Sequence, residues 1–512
     1  MVEIRFTPVT NTLFRTSQLI LVGMLSAAPQ AVTAQDTADL SSLDKTIQSA
    51  INDWKVPGAA ISIVRGQSVV YMKGFGVRDD NAGQAVTPET AFQIGSCTKA
   101  FTSAVIATLV DEGKMQWDEK VRVYLPFFHL YAPEADEYAT IRDLLTHRTG
   151  LPGSDMVWYG STASRDELIR RVAHIAPRTP FRTQFEYQNL MILTAGQAAA
   201  HAANTSWDDL VRERFFKPLG MTGSSTITAE GPKMANHATP HEQNPDGTIK
   251  AVPWRDIDNV GPAGSIVSNA QDMAKWVSLQ LNGGMYQGTR LISEKNVQEM
   301  HDPQMIVPRR GGIATVFFPD STQLSYGLAW FVQDYRGHQL ILHPGDIDGF
   351  AALVVLIPEI HTGYFLAINS SSLCRQVLGY QVADKLLNLP DANWSARFHK
   401  LEAESKVQQQ AAKAWETKRI PGTHPSHELS AYVGQYENPA YDNAEITLEN
   451  GKLVLHFHSV GSDLEHFQYD TFITNMNSSG KTRLTFFVNE RGEVDKLNLL
   501  GISFQRKLPE AR

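Results

Sequence analysis

Apolar positions at the start of the chain follow two different periods. From Leu40 to Trp54 they recur every three or four residues, as on one face of a helix, and Pro57-Gly58 ends this pattern. Two short apolar runs follow, separated by Gly66, which is typical of paired strands. The predicted elements are a helix over residues 38–54 and strands over 59–64 and 68–77.

The middle of the chain is mostly helical in its pattern, and strands return later. The predicted helices lie at 97–112, 140–147, 164–174, 188–203, 206–216 and 270–282. The later strands are predicted at 324–334, 338–343, 350–357 and 363–369, followed by a helix at about 372–388. Strands from both ends of this unit, with helices between them, indicate one sheet closed by its N- and C-terminal segments. This pattern predicts an α/β fold with an inserted helical lobe, and the junction of sheet and lobe is a natural cleft.

A separate C-terminal region is predicted after Pro390. Residues 391–425 are polar and helix-prone and contain a proline–glycine pair, so we interpret them as a helical linker. Residues 426–512 instead contain short alternating runs that are split by Asn-Gly, Ser-Gly and Arg-Gly pairs. About eight strands in so short a region predict a small antiparallel β-barrel.

The first 34 residues are typical of a secretory signal peptide. Arg5 and Arg15 form a basic segment, residues 19–25 form a short apolar one, and small residues at 32–34 precede a predicted cleavage site before Gln35. The apolar segment is too short to span a bilayer. We therefore expect an exported protein, periplasmic or extracellular, with no integral membrane segment after cleavage. An uncleaved anchor or a misassigned start is the alternative.

Composition and charge narrow the possible partners. Hydrophobic residues make up 42% and charged residues 20% of the 512 residues, which is ordinary for globular domains. The net charge of −8 and the lack of a Lys/Arg cluster argue against a nucleic-acid partner. The two cysteines, Cys97 and Cys374, are expected as separate thiols rather than a disulfide, because a domain of this size does not need one.

Ser96 and Lys99 lie three residues apart at the start of a strongly apolar helix. This spacing puts both side chains on one helix face. The helix N-terminus favours negative charge on an attacking oxygen, and burial lowers the pKa of a lysine so that it can take the serine proton. The same spacing recurs from Ser42 and from Ser478, in a surface helix and a hairpin turn, and a plain helix cap is the alternative for Ser96.

Tyr187 and Asn189 lie where another predicted helix opens. Alternation places both side chains on one side of an extended segment, so that both can point into the cleft. A phenol can relay a proton to or from a leaving group, and an amide can hold Lys99 or a substrate carbonyl. The same pattern begins at Tyr436 and Tyr441 inside the predicted barrel, so it is weak evidence by itself.

His343, Gly345 and Asp346 lie at the end of a predicted strand. The glycine would let a substrate approach the strand edge, and the backbone N–H of Asp346 could complete an oxyanion hole with that of Ser96. His361 begins a competing match, but Pro358 indicates that it lies in a turn.

Taken in order, these three motifs resemble those of the serine β-lactamase family, in its class C-like branch with esterases, DD-peptidases and D-aminopeptidases. Residues 140–153, 259–276 and 343–350 support the resemblance, and residues 430–508 resemble the lipocalin-like domain often appended to such hydrolases. The resemblance implies an antiparallel sheet flanked by helices plus a helical lobe. The implied domains are a signal peptide at 1–34, a hydrolase domain at 35–390, a helical linker at 391–425 and a barrel at 426–512.

The same resemblance implies a mechanism without a metal or other cofactor. Ser96 is the nucleophile, Lys99 its activator and Tyr187 the general base or acid; which of the latter two takes the first proton stays open. Asn189 orients Lys99 or the substrate carbonyl, and His343 takes the place of the lysine in the third motif. The implied reaction is acyl-serine formation and hydrolysis of an amide, β-lactam or ester in a small molecule or short peptide.

Two departures from the family pattern bear on the substrate. Histidine is largely neutral at pH 7, whereas penicillin-binding members usually hold the substrate carboxylate with a lysine. Asp346 stands where glycine or alanine is more common, and its carboxylate would repel anions. Both changes favour esters, amides or peptides with a free amine. The alternatives are a penicillin-recognising sensor that is acylated without turnover, and a barrel that is itself the ligand binder.

Other histidines are interpreted as structural. His237 and His241 have ligand-like spacing, but Pro240 breaks the helix that would align them, so no metal site is expected. His456 and His458 fall on one face of a predicted barrel strand and are interpreted as surface residues. Oligomeric state is not indicated by any pattern.

Overall fold

The computed structural model describes residues 40–79, 83–244, 247–309, 312–476 and 480–507, so the predicted signal segment at 1–34 lies outside the described residues.

The α-helices, α1 to α14 in chain order, are Leu43–Asp53, Thr98–Asp111, Val121–Tyr124, Pro133–Tyr138, Ile141–Leu145, Arg165–Arg171, Asn189–Ala203, Trp207–Val211, Lys217–Leu219, Ala270–Leu281, Glu294–His301, Gly312–Phe317, Cys374–Leu386 and Trp394–Ala412. The strands, β1 to β22, are Gly58–Arg65, Ser68–Gly76, Phe92–Gln93, His241–Gln243, Ile249–Ala251, Val267–Ser268, Met285–Tyr286, Thr289–Arg290, Met305–Ile306, Ser321–Tyr326, Phe331–Tyr335, His338–Ile347, Phe350–Ile357, Thr362–Ile368, Gly434–Asn438, Asp442–Glu449, Lys452–Phe457, Val460–Gln468, Thr471–Asn475, Lys481–Val488, Val494–Leu499 and Ile502–Arg506.

One antiparallel sheet organises the first region, with strand order β2-β1-β14-β13-β12-β11-β10-β9. β1 and β14 pair in register, with Ala60 opposite Ala367 and Ile63 opposite Tyr364. This pairing joins the N-terminal and C-terminal ends of the unit, and it confirms the α/β fold predicted from the strand pattern.

Both faces of this sheet are covered, which explains why β1 is apolar at most positions. Ala60 and Val64 pack into a core that also contains residues of α2, α7 and α10. Ile61 and Ile63 belong to a second core, formed with α1 and α13. Each large apolar side chain removed from water contributes about 1.5–3 kcal/mol, so a strand buried on both faces fixes two layers of helices at once.

The predicted strand at 324–334 is in fact two strands, β10 and β11. Gly327 N donates to Trp330 O (2.7 Å), which closes a tight turn between them. A Cβ at Gly327 would lie 2.4 Å from Met300 O, so this approach requires glycine. The prediction missed the turn because the other residues in it, such as Ala329 with φ 67°, are apolar and continue the strand pattern.

The segment predicted as a linker begins inside the second core. Trp394, the first residue of α14, is fully buried and donates to Asp384 Oδ2 (2.7 Å). Its ring lies 4.8 Å from that of Tyr380. Residues 403–412 of the same helix are exposed. The helix is therefore anchored at its start, and only its second half is free of the core.

The C-terminal strands β15 to β22 close into an eight-stranded antiparallel barrel, as predicted. Large side chains fill its interior and are almost fully buried: Tyr432, Tyr436, Phe457, Phe472, Phe486 and Phe504. Small barrels of this size have room for side chains or for one small ligand. The packed aromatic core favours the first case, so the structure gives no support to a ligand inside the barrel.

Cys97 and Cys374 are separate, buried thiols, which confirms the expectation from the sequence. Within the described ranges, no helix has the length and apolar character needed to cross a membrane.

The prediction that His456 and His458 share a strand face is wrong. β17 ends at Phe457, and His458 follows it in a turn with a left-handed φ of 51°. Both histidines are partly buried, but His456 is bonded to Glu449 within the barrel (3.0 Å), whereas His458 lies 3.0 Å from the carbonyl oxygen of Tyr159 in the first region.

Candidate active site

Ser96 lies in a 3-10 turn, Gly95–Cys97, that leads directly into α2. α2 is buried along nearly its whole length, which is why its sequence has no polar face. Gly95 has a φ of 50°, a backbone conformation that favours glycine. The turn presents the partly exposed Ser96 side chain at the N-terminal end of a buried helix.

The serine turn packs directly against the edge of β12. A Cβ at Gly345 would lie 1.9 Å from Ile94 O, and a Cβ at Gly95 would lie 2.7 Å from Asp346 N. The sequence suggested that Gly345 makes room for a substrate; in the structure the serine turn occupies that room. The backbone N–H of Asp346 consequently lies beside the turn that carries Ser96.

The amine of Lys99 is fully buried and has three close partners. Its Nζ lies 2.8 Å from Ser96 Oγ, 2.7 Å from Asn189 Oδ1 and 2.7 Å from the carbonyl oxygen of Ala263. Asn189 is the first residue of α7, whose N-terminus is capped by the side chain of Gln188. Three separate segments of the chain therefore supply the three partners.

The chemistry of these partners fixes the direction of each hydrogen bond. The Ala263 carbonyl can only accept. Asn189 Nδ2 donates to Asp155 Oδ1 (2.9 Å), so Asn189 turns its oxygen toward Lys99. A neutral amine has two protons and one lone pair, and these two acceptors take the protons. The lone pair then faces Ser96 Oγ, the one partner of the three with a proton to give.

The charge state of Lys99 suits this arrangement. Burial lowers the pKa of Lys99 to about 7, because the ammonium loses its hydration, while the nearby Asp155 carboxylate acts to raise it. A large fraction of the amine is therefore neutral at physiological pH and able to accept a proton.

Tyr187 lies against the same amine from another side. Its ring is 4.9 Å from Lys99 Nζ. Burial raises the pKa of Tyr187 well above the ordinary value of 10, with a hydrogen bond to Ser96 acting in the opposite direction. The phenol therefore keeps its proton at neutral pH. The structure thus brings together Ser96, Lys99, Tyr187 and Asn189, the four residues that the first two motifs singled out.

His343 lies beside this group but is buried. Its Nδ1 donates to Pro344 O (2.7 Å), and its Nε2 accepts from Tyr326 Oη (2.9 Å). Burial lowers the pKa of His343 to about 3, so the ring is neutral. Its ring centre is 6.4 Å from that of Tyr187. Both ring nitrogens are already bonded, so a direct role in holding substrate stays a prediction.

Asp346 is partly neutralised by a buried arginine that the sequence did not single out. Arg375 on α13 is 1% exposed and donates to Asp346 Oδ2 (2.8 Å). The same guanidinium also donates to the carbonyl oxygens of Gly345 (3.1 Å) and Ala352 (3.2 Å). The arginine therefore fixes the strand edge beside the serine turn, and repulsion of anions by Asp346 is weaker than the sequence suggested.

Comparison with known proteins identifies the family. A family model described as Beta-lactamase matches residues 43–386, about two thirds of the chain. The chain belongs to the Beta-lactamase family. Its fold and its relatives identify it as a serine hydrolase. A second model, Domain of unknown function (DUF3471), matches residues 418–510, which include the barrel.

Relatives of this family member occur in fungi and bacteria. Unguisins hydrolase ungD' of Aspergillus campestris is 28% identical over 433 residues, which cover 80% of this chain and 78% of that protein. Protein flp of Staphylococcus aureus is 25% identical over 335 residues, which cover 64% of this chain and 63% of that protein.

Solved structures share the fold of this family member. An octameric penicillin-binding protein homologue from Pyrococcus abyssi aligns with a TM-score of 0.63 at 20% identity, over 91% of this chain and 99% of that one. D-amino acid amidase from Ochrobactrum anthropi SV3 aligns with a TM-score of 0.56 at 23% identity, over 68% of this chain and 98% of that one. At these identities the likeness concerns the fold alone.

His147 is a residue of the site that lies in the stretch 140–153 supporting the family resemblance, but no role was predicted for it. It is fully buried with a left-handed φ of 55°. Its carbonyl oxygen accepts from Glu186 N (2.8 Å) and its Nδ1 accepts from Gln188 N (3.2 Å). These two bonds hold the peptides on both sides of Tyr187, and the two rings lie 4.4 Å apart. His147 is therefore placed to fix the position of the Tyr187 phenol.

Asp155 and Ala263 were also missed. Asp155 lies in a loop without apolar periodicity, and Ala263 contributes only its backbone oxygen. Asp155 belongs to none of the motifs, whereas Ala263 lies in the stretch 259–276 that supports the family resemblance and was given no role there.

Replacement of Asp155 by asparagine tests the electrostatics of Lys99. Asp155→Asn keeps an oxygen for Asn189 Nδ2 but removes the negative charge that raises the pKa of Lys99. In the wild type we expect kcat/KM to rise with pH through about 7, as the amine loses its proton. In the variant this acid limb moves to lower pH. The measurement is kcat/KM against pH with p-nitrophenyl acetate.

The matched control is Asp166→Asn. Asp166 accepts from Gln197 Nε2 (2.9 Å), a similar carboxylate–amide pair that is not among the charges acting on Lys99. Its profile stays that of the wild type. An acid limb that stays in place or moves upward in Asp155→Asn contradicts the assignment of the limb to Lys99.

Two substitutions of His147 test whether the hydrogen bond that its side chain accepts from Gln188 N, rather than the imidazole ring as such, positions Tyr187. Asparagine tolerates a left-handed backbone and carries an oxygen near the position of Nδ1, whereas alanine has neither property. We expect His147→Ala to slow labelling of Ser96 by a fluorophosphonate about 10- to 100-fold, through displacement of Tyr187. His147→Asn keeps most of the rate. Equal impairment of both variants, or of neither, contradicts the positioning role.

Proposed function

We propose that this chain is an exported hydrolase that transfers the acyl group of an amide, ester or β-lactam first to Ser96 and then to water. The observation that carries the proposal is the bonding of Lys99. Two acceptors, Asn189 Oδ1 and Ala263 O, leave the lone pair of a neutral amine directed at Ser96 Oγ at 2.8 Å. This is the geometry that a general base requires toward a serine nucleophile.

In the acylation step, Ser96 Oγ attacks the substrate carbonyl carbon and its proton passes to Lys99 Nζ. The bond from the carbonyl carbon to the leaving nitrogen or oxygen then breaks, and the leaving group takes the phenol proton of Tyr187. The Lys99 ammonium returns a proton to the Tyr187 phenolate, which restores both groups. Water next attacks the acyl-serine ester and loses one proton to Lys99, which passes it to Ser96 Oγ as the ester bond breaks and the acid is released. The high pKa of Tyr187 makes it a poor first base and a suitable donor.

Backbone donors are available for the carbonyl oxygen. The N–H groups of Ser96 and Asp346 lie on two segments that are packed together through Gly95 and Gly345. Donors fixed in this way stabilise a developing oxyanion without reorganising during the reaction. Removal of one such donor typically costs 10²–10³ in rate in other enzymes.

The charges around Ser96 favour substrates that are neutral or carry an amine. His343 is neutral, and the Asp346 carboxylate is already paired with Arg375. Asp155 is exposed beside Asn189, where an ammonium group can approach it. We therefore expect amides, esters or short peptides with a free amine to be preferred over β-lactams. The name of one relative, Unguisins hydrolase ungD' of Aspergillus campestris, supports a hydrolytic reaction.

Hydrolysis rates of paired substrates, together with the intact mass of the protein after exposure to a penicillin, test this function. We expect phenylalanine p-nitroanilide, tested as both enantiomers, to be hydrolysed at least tenfold faster in kcat/KM than its N-acetylated form. Ser96→Ala lowers the rate by about 10³-fold or more. The same protein is exposed to benzylpenicillin, and its mass and the loss of drug are followed together.

The outcomes of this experiment discriminate between the candidate functions. Unchanged turnover in Ser96→Ala would falsify the proposal. A lasting penicillin adduct on Ser96 without hydrolysis of any anilide favours a penicillin-recognising sensor, and rapid loss of the drug favours a β-lactamase.

Export is proposed from the N-terminal pattern. Cleavage before Gln35 would remove the basic and apolar segments of residues 1–34. On expression in a bacterial host we expect the protein outside the cytoplasm, with an N-terminus that begins at Gln35. A full-length chain retained in the cytoplasm contradicts export.

A further inference from the structure

A short loop joins the active site to the barrel. This cleft loop, residues 154–161, contains the 3-10 turn Asp155–Val157. Asp155 Oδ1 accepts from Asn189 Nδ2 (2.9 Å), and Asn189 Oδ1 in turn accepts from Lys99 Nζ (2.7 Å). The position of the cleft loop therefore decides which way Asn189 points its oxygen.

The other side of the cleft loop rests on the barrel. His458, in the turn after β17, donates from Nδ1 to the carbonyl oxygen of Tyr159 (3.0 Å). A Cβ at Gly160 would lie 2.5 Å from Ser459 Oγ, so the side chain of Ser459 packs directly against Gly160. Met156 packs against the apolar core of the barrel. One loop thus contacts the barrel at three positions and Asn189 at a fourth.

The barrel is itself fixed against the first region. Ala440, between β15 and β16, is 1% exposed and belongs to the core beneath the helical lobe. Asp442 accepts from Arg171 Nη2 (2.8 Å), and the Arg171 side chain is largely buried. The barrel places Ala440 in the core of the hydrolase, and the hydrolase places Met156 against the core of the barrel, so each region contributes to the core of the other.

The cleft loop also touches the opposite wall of the site. The hydroxyl of Tyr159 donates to Asp348, and Arg255 Nε donates to the same carboxylate (2.9 Å). Asp348 lies in the turn after β12, the strand that carries Asp346. Displacement of the loop would therefore disturb both the Lys99 side and the proposed oxyanion side of the cleft.

We propose that the barrel acts as a positioning element for the active site, with His458 as the residue that holds the cleft loop so that Asp155 orients Asn189 toward Lys99. The role given to Lys99 rests on the proposed function. His458 does not touch the reacting atoms, and its effect passes through the loop. The proposed role depends on the outer surface of the barrel, which is consistent with an interior that is filled by side chains.

Substitutions of His458 in the full mature chain test the proposal. His458→Gly removes the side chain and suits the left-handed backbone, so it introduces no strain of its own. His458→Asn keeps a donor near the position of Nδ1 on the same backbone. His456→Ala is the matched control, since His456 is a partly buried histidine of the same hairpin whose side chain bonds to the barrel residues Thr447 and Glu449.

Two measurements distinguish a change in the stability of the cleft loop from a change in the reactivity of Ser96. The first is hydrogen–deuterium exchange of residues 154–161, where Val157, Trp158, Tyr159 and Ser161 donate backbone hydrogen bonds within the loop. The second is the rate constant for labelling of Ser96 by a fluorophosphonate. We expect faster loop exchange and three- to tenfold slower labelling in His458→Gly, near wild-type behaviour in His458→Asn, and no change in His456→Ala.

The outcomes are distinguishable from failure of the proposed function. Wild-type exchange and labelling in His458→Gly overturn the proposal, and so does faster loop exchange with unchanged labelling. If the wild-type Ser96 is not labelled at all, the proposed function fails, whereas the exchange data still decide whether the barrel holds the loop.

Discussion

The buried amine of Lys99 is the constraint on which the rest of the site depends. An amine without water around it must find partners for two protons and a lone pair within the protein. The three partners come from the serine turn, from the start of α7 and from the backbone near Ala263. These segments are far apart in the sequence, so the helical lobe has to be fully folded before the amine is satisfied.

Burial of the Lys99 amine lowers the free energy of unfolding, and apolar burial elsewhere in the fold has to offset this loss. Each pKa unit of displacement corresponds to about 1.4 kcal/mol, and the net stability of a domain is about 5–15 kcal/mol. Lowering the pKa of Lys99 from 10.5 to about 7 therefore destabilises the folded state by a free energy that is a sizeable part of this net stability. The sheet buried on both faces, with a separate core on each side, supplies the apolar burial that a site of this kind needs.

The sequence predicted those parts of the molecule that depend on local patterns. Ser96 and Lys99 share one helix start, and Tyr187 and Asn189 lie two residues apart, so their spacing alone indicated a common face. The closure of the sheet by β1 and β14 followed from the apolar runs at both ends of the unit. The barrel followed from alternation and turn pairs.

The parts that the sequence did not predict depend on contacts between distant segments. Asp155 bonds to Asn189 and the Ala263 carbonyl bonds to Lys99, both from loops without periodicity. His147 holds Tyr187 through bonds to backbone amides, and such bonds leave no pattern in a single sequence. His458 was misassigned because its left-handed backbone ends the strand one residue earlier than alternation suggests.

The histidine of the third motif illustrates how the site balances its charges. A lysine at position 343 would bring a second cation close to Lys99, and like charges lower each other's pKa. The neutral ring of His343 avoids this, and it is kept neutral by burial, with Nδ1 donating to Pro344 and Nε2 accepting from Tyr326. The price is the loss of a cation that could hold a substrate carboxylate. The histidine that leaves the pKa of Lys99 near 7 therefore does not itself supply a cation for an anionic substrate.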